Sequence, residues 1–323
     1  MKIACLQFNP TLGAVQSNID RANALLEPLK PAQLDLLILP ELAFSGYNFP
    51  DLASITPYLE ATTSGPTTQW AIATAQKLGC CVTVGYPEIH TAPNGHTKNY
   101  NSTVTVSATG EVLLNYRKSF LYYTDETWAS EGPDGITHDS NLHLSPGTAA
   151  AAKPFFCADL PAPLGRIGHG ICMDINPYKF TAPWTDFEFA TAMLRGGAPL
   201  VVLSMAWLTS LLPPDLELEP EQPDMQTIAY WIERMFPLFE AEEEVVVVFA
   251  NRCGVENPAC YAGSSCVIKF HRGTIRMYER ILGKGEEGVL VVDTAQVGFW
   301  VARDVLSMVT DMMQMPKFEL KMG

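Results

Sequence analysis

Two apolar runs constrain the fold of this chain more than any other feature. The runs Leu34–Leu39 and Val245–Phe249 do not alternate between apolar and polar side chains. Because successive side chains of a strand point to opposite faces, such runs predict strands that are covered on both faces. Helical patterns separate these runs from further strand candidates, so the sequence predicts a layered α/β domain. The helix candidates are Ser17–Leu29, Thr67–Leu78, Trp184–Leu194 and Met225–Phe239.

Three side chains with useful chemistry each follow a predicted strand. They are Glu41, Lys118 and Cys172. In α/β proteins, sites gather at the ends of strands. Each residue alone has an ordinary structural explanation; a lone Cys in an apolar run, for example, is more often an inert part of the core. Together they supply a thiol, a base and a cation, which are the groups that amide hydrolysis through a thioester requires.

Five short segments give the chain a resemblance to a known family. In chain order they are Pro40–Tyr47, Asn115–Lys118, Gly170–Asp174, Ala250–Gly254 and Gly263–Ser265. These segments resemble the nitrilase superfamily of carbon–nitrogen hydrolases. The resemblance covers nearly the whole chain and implies a single domain over residues 1–323. The implied fold is the α/β, nitrilase-type αββα sandwich, two mixed sheets flanked by helices; periodicity alone does not distinguish it from a single doubly wound sheet.

The resemblance also implies a role for each of the three residues. Cys172 attacks the amide carbon, while Glu41 takes the thiol proton and returns it to the departing ammonia. Lys118 donates to the oxyanion, with the Met173 backbone N–H as a second donor. His169 lies three residues before the Cys, and an extended strand points it to the opposite face. The six His residues show no metal-ligand spacing, so neither a metal nor a cofactor is expected.

An acidic segment after Lys118 supplies further candidates. Many nitrilases have a second acid there, and Glu126, eight residues on, is the predicted one; Asp125 competes for this role, and a plain acidic loop stays open. A substrate with a free α-ammonium needs a carboxylate near the mouth of the site, since a desolvated cation needs compensating charge. The candidates for it are Asp125, Glu126, Glu131 and Asp174, although Asp174 has the alternative of bonding nearby backbone.

A narrower resemblance indicates the substrate. Asn115–Tyr122, Ile171–Pro183, Met205–Leu208 and Asn251–Gly254 are similar to the eukaryotic N-terminal amidases, which deamidate Asn or Gln at the first position of a protein. Where the broad family has an aromatic–Pro–Glu step, this chain has Asn176–Phe180. The expected partner is therefore a peptide or protein N-terminus. Three alternatives stay open: a small-molecule amidase such as an ω-amidase, a catalytically silent binding scaffold, and a glutaminase module.

Aromatic residues near the predicted site are candidates for the pocket walls. They are Tyr47, Tyr178 and Trp207, although aromatic side chains are more often part of the core. Asn251 and Arg252, at the end of the Val-rich strand, are expected to brace the site and not to contact substrate.

Charge and cysteine usage limit the partners and the compartment. The formal net charge is −14, which argues against nucleic acid, because phosphates call for a basic face. No apolar run approaches the ~20 residues of a membrane span. Eight cysteines without a CxxC pair favour a reduced, cytoplasmic setting. The sequence does not indicate an oligomeric state.

Overall fold

The computed structural model describes residues 1–132, 136–137, 155–278, 280–296 and 299–301. Within them the chain forms two large sheets, a two-stranded ribbon and six α-helices. The helices are α1 (Val15–Leu26), α2 (Leu52–Ile55), α3 (Pro66–Leu78), α4 (Glu188–Gly196), α5 (Pro213–Glu217) and α6 (Met225–Arg234). The strands of the first half are β1 (Lys2–Gln7), β2 (Leu36–Ile38), β3 (Glu60–Ala61), β4 (Cys81–Thr91), β5 (Thr97–Val106), β6 (Val112–Arg117) and β7 (Ile136–Thr137). The remaining strands are β8 (Phe156–Leu160), β9 (Gly165–Ile171), β10 (Leu200–Met205), β11 (Val245–Asn251), β12 (Val255–Glu256), β13 (Ala259–Cys260), β14 (Cys266–His271), β15 (Thr274–Tyr278), β16 (Gly288–Asp293) and β17 (Phe299–Val301).

Both large sheets are mixed. The first has the order β16-β1-β2-β4-β5-β6-β7, with β3 paired to β4, and its strands β1, β2 and β4 are parallel. The second has the order β17-β15-β14-β11-β10-β9-β8, with β9, β10 and β11 parallel. The two runs predicted to be covered on both faces became β2 and β11, and both strands are fully buried.

The two sheets pack face to face, and helices cover their outer faces. On β1, Ile3 and Cys5 belong to the core that both sheets share, whereas Ala4 and Leu6 pack with residues of α1 and α3. On the far side, α4 and α6 bury apolar side chains against the second sheet. This arrangement confirms the predicted αββα sandwich and excludes the single doubly wound sheet.

The helix boundaries differ from the sequence prediction where proline intervenes. The helix predicted to reach Phe239 ends at Arg234, and a 3-10 turn, Phe236–Glu240, follows it. Pro237 explains the break because it lacks the N–H that a continuing α-helix would use. The helix predicted from Trp184 begins at Glu188, after a turn in which the Asp186 N–H donates to the Pro183 carbonyl at 2.8 Å. Within the described part of the chain, no helix combines the length and apolar character that a bilayer span demands.

A glycine on β4 allows the segment that carries Glu41 to lie directly against the first sheet. The Gly85 N–H donates to the Pro40 carbonyl at 3.3 Å, and the Gly85 carbonyl accepts from the Ala43 N–H at 3.0 Å. A Cβ at position 85 would lie 2.6 Å from Leu42 N and 2.8 Å from Glu41 Cα. Because these are backbone atoms, no side-chain movement can relieve the clash. Gly85 therefore sets the position of Glu41.

We expect Gly85→Ala to displace the backbone around Glu41. Overpacking of this kind costs about 1–3 kcal/mol, so urea unfolding should show a loss in that range. Gly288→Ala is the matched control, since Gly288 also lies in a strand and its added Cβ would meet nothing within 4 Å. Equal stability of the two variants would show that the backbone at position 85 has room to move.

Candidate active site

Lys118 lies between two carboxylates at the edge where the strands of both sheets end. Its Nζ donates to Glu41 Oε1 at 2.6 Å and to Asp125 Oδ2 at 2.5 Å. All three side chains are fully buried. Buried charges are tolerated when they are paired and hydrogen-bonded, and here each one is. The ammonium is thereby fixed between the segment after β2 and the 3-10 turn Asp125–Thr127.

Asn101, on β5, links the two carboxylates and was not predicted from the sequence. Its Nδ2 donates to Glu41 Oε1 at 2.7 Å and to Asp125 Oδ1 at 2.9 Å. Its carbonyl accepts from the Lys118 N–H at 2.8 Å. Asn101 is fully buried within a ten-residue strand. Asparagine is depleted in strands, so its presence in an otherwise good strand pattern was the available signal.

Cys172 begins a 3-10 turn, Cys172–Ile175, directly after β9. Its φ is +42°, in the left-handed region that residues other than glycine rarely adopt. Such strained residues cluster at functional sites. The side chain is 8% exposed. The Ala206 N–H, just after β10, faces the sulfur and also donates to Glu41 Oε2 at 2.9 Å. The thiol and the Glu41 carboxylate are therefore neighbours around one backbone donor.

Asp174 joins the turn that carries Cys172 to the segment after Lys118. Its Oδ1 accepts from the Ser119 and Phe120 N–H groups at 3.0 and 2.8 Å. Its Oδ2 accepts from the Ile171 N–H at 2.7 Å and from the Tyr116 hydroxyl at 2.8 Å. The carboxylate is fully buried with four donors. The expectation that Asp174 binds an α-ammonium is wrong, and the alternative that it bonds nearby backbone holds, because three backbone N–H groups and the Tyr116 hydroxyl occupy its carboxylate.

The buried charges shift one another's protonation. Burial raises the pKa of Glu41, although the ammonium of Lys118 opposes the rise. Burial raises the pKa of Cys172 well above its ordinary value, and the charge of Glu41 adds to the effect. Burial alone would lower the pKa of Lys118, but Asp125 and Glu41 outweigh it and the pKa rises. The resting site therefore holds a charged ammonium and a protonated thiol, and its members titrate as a coupled set.

The structure places Asp125, and not Glu126, beside Lys118. The Glu126 side chain is 40% exposed, and its carboxylate pairs with Lys179 Nζ at 3.2 Å. The two residues are adjacent in one 3-10 turn, where neighbouring side chains point in different directions, so only one of them can face inward. The prediction that Glu126 is the second acid beside the Lys is thus corrected to Asp125. Asp125 is in turn excluded as a mouth carboxylate, because its Oδ2 also accepts from the Tyr122 N–H.

Two of the three predicted wall residues lie near the buried charges. The Tyr47 ring is 5.7 Å from Lys118 Nζ and is buried. Trp207 follows Ala206, whose backbone N–H donates to Glu41. The backbone N–H of Trp207 donates to Asn251 Oδ1 at 2.7 Å. The third, Tyr178, lies further out, where its hydroxyl donates to Glu131 Oε1 at 2.7 Å.

Two other tyrosines near the thiol were not predicted. Burial raises the pKa of Tyr122 to about 12, and the charge of Cys172 contributes to the rise. The pKa of Tyr230, on α6, is also raised by burial with a contribution from Cys172. The Tyr230 hydroxyl donates to Asn176 Oδ1 at 2.6 Å. Tyr122 is the last residue of the segment Asn115–Tyr122, whereas Tyr230 belongs to none of the recognised segments and reaches the site only through the tertiary fold.

Glu256 holds the loop that carries Tyr47. Its carboxylate accepts from the Tyr47 and Asn48 N–H groups at 3.1 and 2.8 Å and from the Tyr261 hydroxyl at 2.7 Å. Arg252 pairs with the same carboxylate and is fully buried. Arg252 therefore braces the wall of the site, as its position in the sequence suggested, and Glu256 is the partner that sequence reasoning missed.

The site contains no arrangement typical of a metal centre. The described residues hold no group of three or more His, Cys, Asp or Glu side chains placed to bind a metal ion. His169 packs its ring 5.9 Å from that of Phe156, and burial lowers its pKa to about 3, which keeps the imidazole neutral. Met173 follows the thiol, with its side chain buried.

Comparisons with known proteins identify related chains. The family model for carbon–nitrogen hydrolases matches residues 2–298. A protein N-terminal amidase from Schizosaccharomyces pombe is 35% identical over 306 residues, which cover 90% of this chain and 98% of the relative. Solved structures of an N-terminal amidase with an Asn-Glu peptide and with a Gln-Val peptide each superpose with a TM-score of 0.74 at 22% identity, covering 90% of this chain and 96% of theirs.

We expect Asp125→Asn to destabilise the fold and Glu126→Gln to leave it nearly unchanged. The groups around Asp125 are all donors, so an amide nitrogen there would face another donor, and breaking a buried pair costs about 3–5 kcal/mol. An exposed pair such as that of Glu126 contributes only about 0–1 kcal/mol. Urea unfolding of both variants measures the difference. A larger loss for Glu126→Gln would reverse the assignment of the buried acid.

Proposed function

Because the chain belongs to the carbon–nitrogen hydrolase family, we propose that it removes the side-chain amide of an N-terminal Asn or Gln from peptides and proteins, yielding Asp or Glu and ammonia. The chain is a hydrolase that acts on the carbon–nitrogen bonds of amides. The observation that carries the proposal is the buried group of Glu41, Lys118 and Cys172 in a chain that aligns with a protein N-terminal amidase over 90% of its length. We also propose that residues 1–323 form one domain.

The geometry supports a thioester mechanism in which each group acts in turn. The Cys172 sulfur attacks the amide carbon, and its proton passes to Glu41 as the bond forms. Lys118 stabilises the oxyanion, with the backbone N–H of Met173 as a second donor. Glu41 gives the proton to the departing ammonia and then takes one from the water that hydrolyses the thioester. Because the resting thiol is protonated, the nucleophile is generated only when Glu41 is ionised and close to it.

Asp125 takes no proton in this scheme. Its carboxylate holds Lys118 from the side opposite Glu41, so the ammonium keeps its charge while Glu41 gains and loses a proton. With two carboxylates and one ammonium, the site keeps an anionic partner for Lys118 at every step. The Asn101 amide donates to both carboxylates and so fixes their positions relative to each other.

The free amine of the substrate needs an acidic partner at the mouth. Of the four candidates for this role, Asp125 and Asp174 are fully buried and bonded, and the Glu131 carboxylate accepts from the Tyr178 hydroxyl, whereas the Glu126 side chain is 40% exposed. We therefore assign to Glu126 the binding of the α-ammonium, which would replace the exposed ammonium of Lys179 as the partner of its carboxylate. Both partners are exposed, so the exchange costs little.

We expect a peptide with a free N-terminal Asn to be hydrolysed at least about tenfold faster, in kcat/KM, than its Nα-acetylated form, because acetylation removes the cation that Glu126 would bind and a hydrogen bond to a charged group contributes about 1.5–3 kcal/mol. Ammonia release from the paired peptides measures this ratio, and Cys172→Ala supplies the background without a nucleophile. Equal hydrolysis of both peptides would instead favour a small-molecule amidase.

The role of Glu126 is separable in the same assay. Glu126→Gln should lower kcat/KM for the free peptide by roughly tenfold and leave the acetylated peptide unchanged, because only the free amine uses the carboxylate. Glu131→Gln is the matched control, since its carboxylate accepts from the Tyr178 hydroxyl. A drop with both substrates would mean that Glu126 acts on the fold and not on the amine.

We expect the acid limb of kcat/KM to lie above the ordinary range of a glutamate. Glu41 must be ionised to take the thiol proton, and its pKa is raised, so activity should fall as the pH decreases through that raised value. Asn101→Leu removes a donor that lowers the pKa of Glu41 and should move the limb to still higher pH. A limb at or below about pH 4.5 in the parent enzyme would contradict a raised pKa for Glu41.

A further inference from the structure

Two side chains of α6 fasten this helix to the turn that begins at Cys172. Tyr230 and Arg234 are one helical turn apart, so they lie on the same face of α6. The Arg234 Nε–H donates to the Ile175 carbonyl at 2.9 Å, and the Tyr230 hydroxyl donates to Asn176 Oδ1 at 2.6 Å. These two bonds fix the position of the Tyr230 hydroxyl relative to the segment that carries the thiol.

The Tyr230 side chain forms part of the wall of the site on the side of α6. Its ring centroid is 5.3 Å from that of Trp207, which follows the Ala206 N–H that faces the Cys172 sulfur. Tyr230 is half-buried, so it does not belong to the sealed core. The charge of Cys172 contributes to the raised pKa of Tyr230, which agrees with a position beside the thiol.

The bonds of Asn176 decide where the Tyr230 hydroxyl proton points. Asn176 is buried, and its Nδ2 donates to Met173 Sδ at 3.2 Å, so its Oδ1 faces Tyr230. Because an amide oxygen only accepts, the hydroxyl must donate to it. Reversal of the amide would place its oxygen against a thioether sulfur, which has no proton to give. The Tyr230 oxygen can therefore offer only its lone pairs to a ligand.

A side-chain amide bound at the thiol presents two N–H groups in addition to its carbonyl. In the proposed mechanism, Lys118 and a backbone N–H take the carbonyl oxygen, and Glu41 lies on the path of the thiol proton. The Asp125 carboxylate already accepts from three donors, so it is not available to the amide. A buried N–H without an acceptor is costly. The lone pairs of the Tyr230 oxygen supply an acceptor next to the thiol.

We propose that Tyr230 accepts a hydrogen bond from the NH₂ group of the substrate's side-chain amide, and that the site thereby favours the amide over the carboxylate of the product. The inference rests on the proposed function, since it requires an Asn or Gln side chain at Cys172. A product carboxylate has no proton to offer, so it would meet a lone pair of Tyr230. For Tyr230 to donate to that carboxylate, it would have to release Asn176 and leave a buried oxygen unpaired.

The test compares a peptide that has a free N-terminal Asn with the same peptide carrying the β-methyl ester of Asp, which keeps the carbonyl but lacks the N–H groups. Tyr230→Phe should lower kcat/KM for the amide by about three- to tenfold, the range for one neutral hydrogen bond, and leave the ester within about twofold. Release of ammonia and of methanol measures the two rates. An equal loss with both substrates would show that Tyr230 only supports the fold and would overturn the proposal.

Two further Tyr→Phe variants test whether the effect belongs to Tyr230. Tyr278→Phe is the matched control, since the Tyr278 hydroxyl donates to the Thr294 carbonyl at 3.2 Å, and it should keep both parent rates. Tyr122 also lies near the thiol. If Tyr122→Phe separates the two substrates and Tyr230→Phe does not, the acceptor is Tyr122 and the proposal is refuted. Circular dichroism melts of all three variants verify folding.

Asn176→Leu tests the part played by the fixed proton. This substitution frees the Tyr230 hydroxyl to donate, so the product peptide with an N-terminal Asp should bind about three- to tenfold more tightly than before. Calorimetric titration at neutral pH measures its Kd on Cys172→Ala with and without Asn176→Leu. An unchanged Kd would overturn the selectivity against the product. Failure of the parent enzyme to release ammonia from any Asn or Gln peptide would instead overturn the proposed function.

Discussion

The geometry of the site depends most on the hydrogen bonds that the Asp174 carboxylate accepts. Lys118 and Cys172 belong to different sheets, and nothing in either sheet's hydrogen-bond ladder fixes the distance between them. Asp174 supplies that link, since it accepts from backbone next to Lys118 and from backbone next to Cys172. The Ala206 N–H makes a second link, from the second sheet to Glu41. The catalytic group is thus an interface between sheets, held by side-chain to backbone bonds.

Two adjacent cations at this edge of the molecule, Arg117 and Lys118, are buried with different carboxylate partners. Lys118 points toward the site, where it meets two carboxylates. Its neighbour Arg117 points the other way and pairs with the buried Glu88, with its guanidinium over the Tyr100 ring at 3.9 Å. Alternation along a strand explains why adjacent cations can be buried without repelling each other. Arg117 therefore anchors the strand that presents Lys118.

Local pattern was enough to predict a layered α/β domain and the three residues at the strand ends, because apolar runs and strand ends are visible in consecutive positions. The order of the layers came from the family resemblance, since periodicity alone does not distinguish the αββα sandwich from a single doubly wound sheet. Asn101, Glu256 and Tyr230 could not be found in that way, since each reaches the site through the packing of distant elements. The choice between Asp125 and Glu126 shows the limit most clearly. The two carboxylates are adjacent in one short turn. Only the orientation of that turn relative to the sheets decides which of them faces Lys118.

The raised pKa of the buried thiol has a consequence for the resistance of the enzyme to oxidation. Peroxides attack the thiolate, and thiols with a low pKa and good exposure are the ones that become sulfenic acids. Cys172 has the opposite character, because burial and the neighbouring Glu41 carboxylate raise its pKa and the residue is only 8% exposed. The other seven cysteines are buried as well. A buried thiol with a raised pKa reacts slowly with peroxide. Activity should therefore persist through a peroxide exposure that inactivates enzymes whose catalytic cysteine is a thiolate at rest.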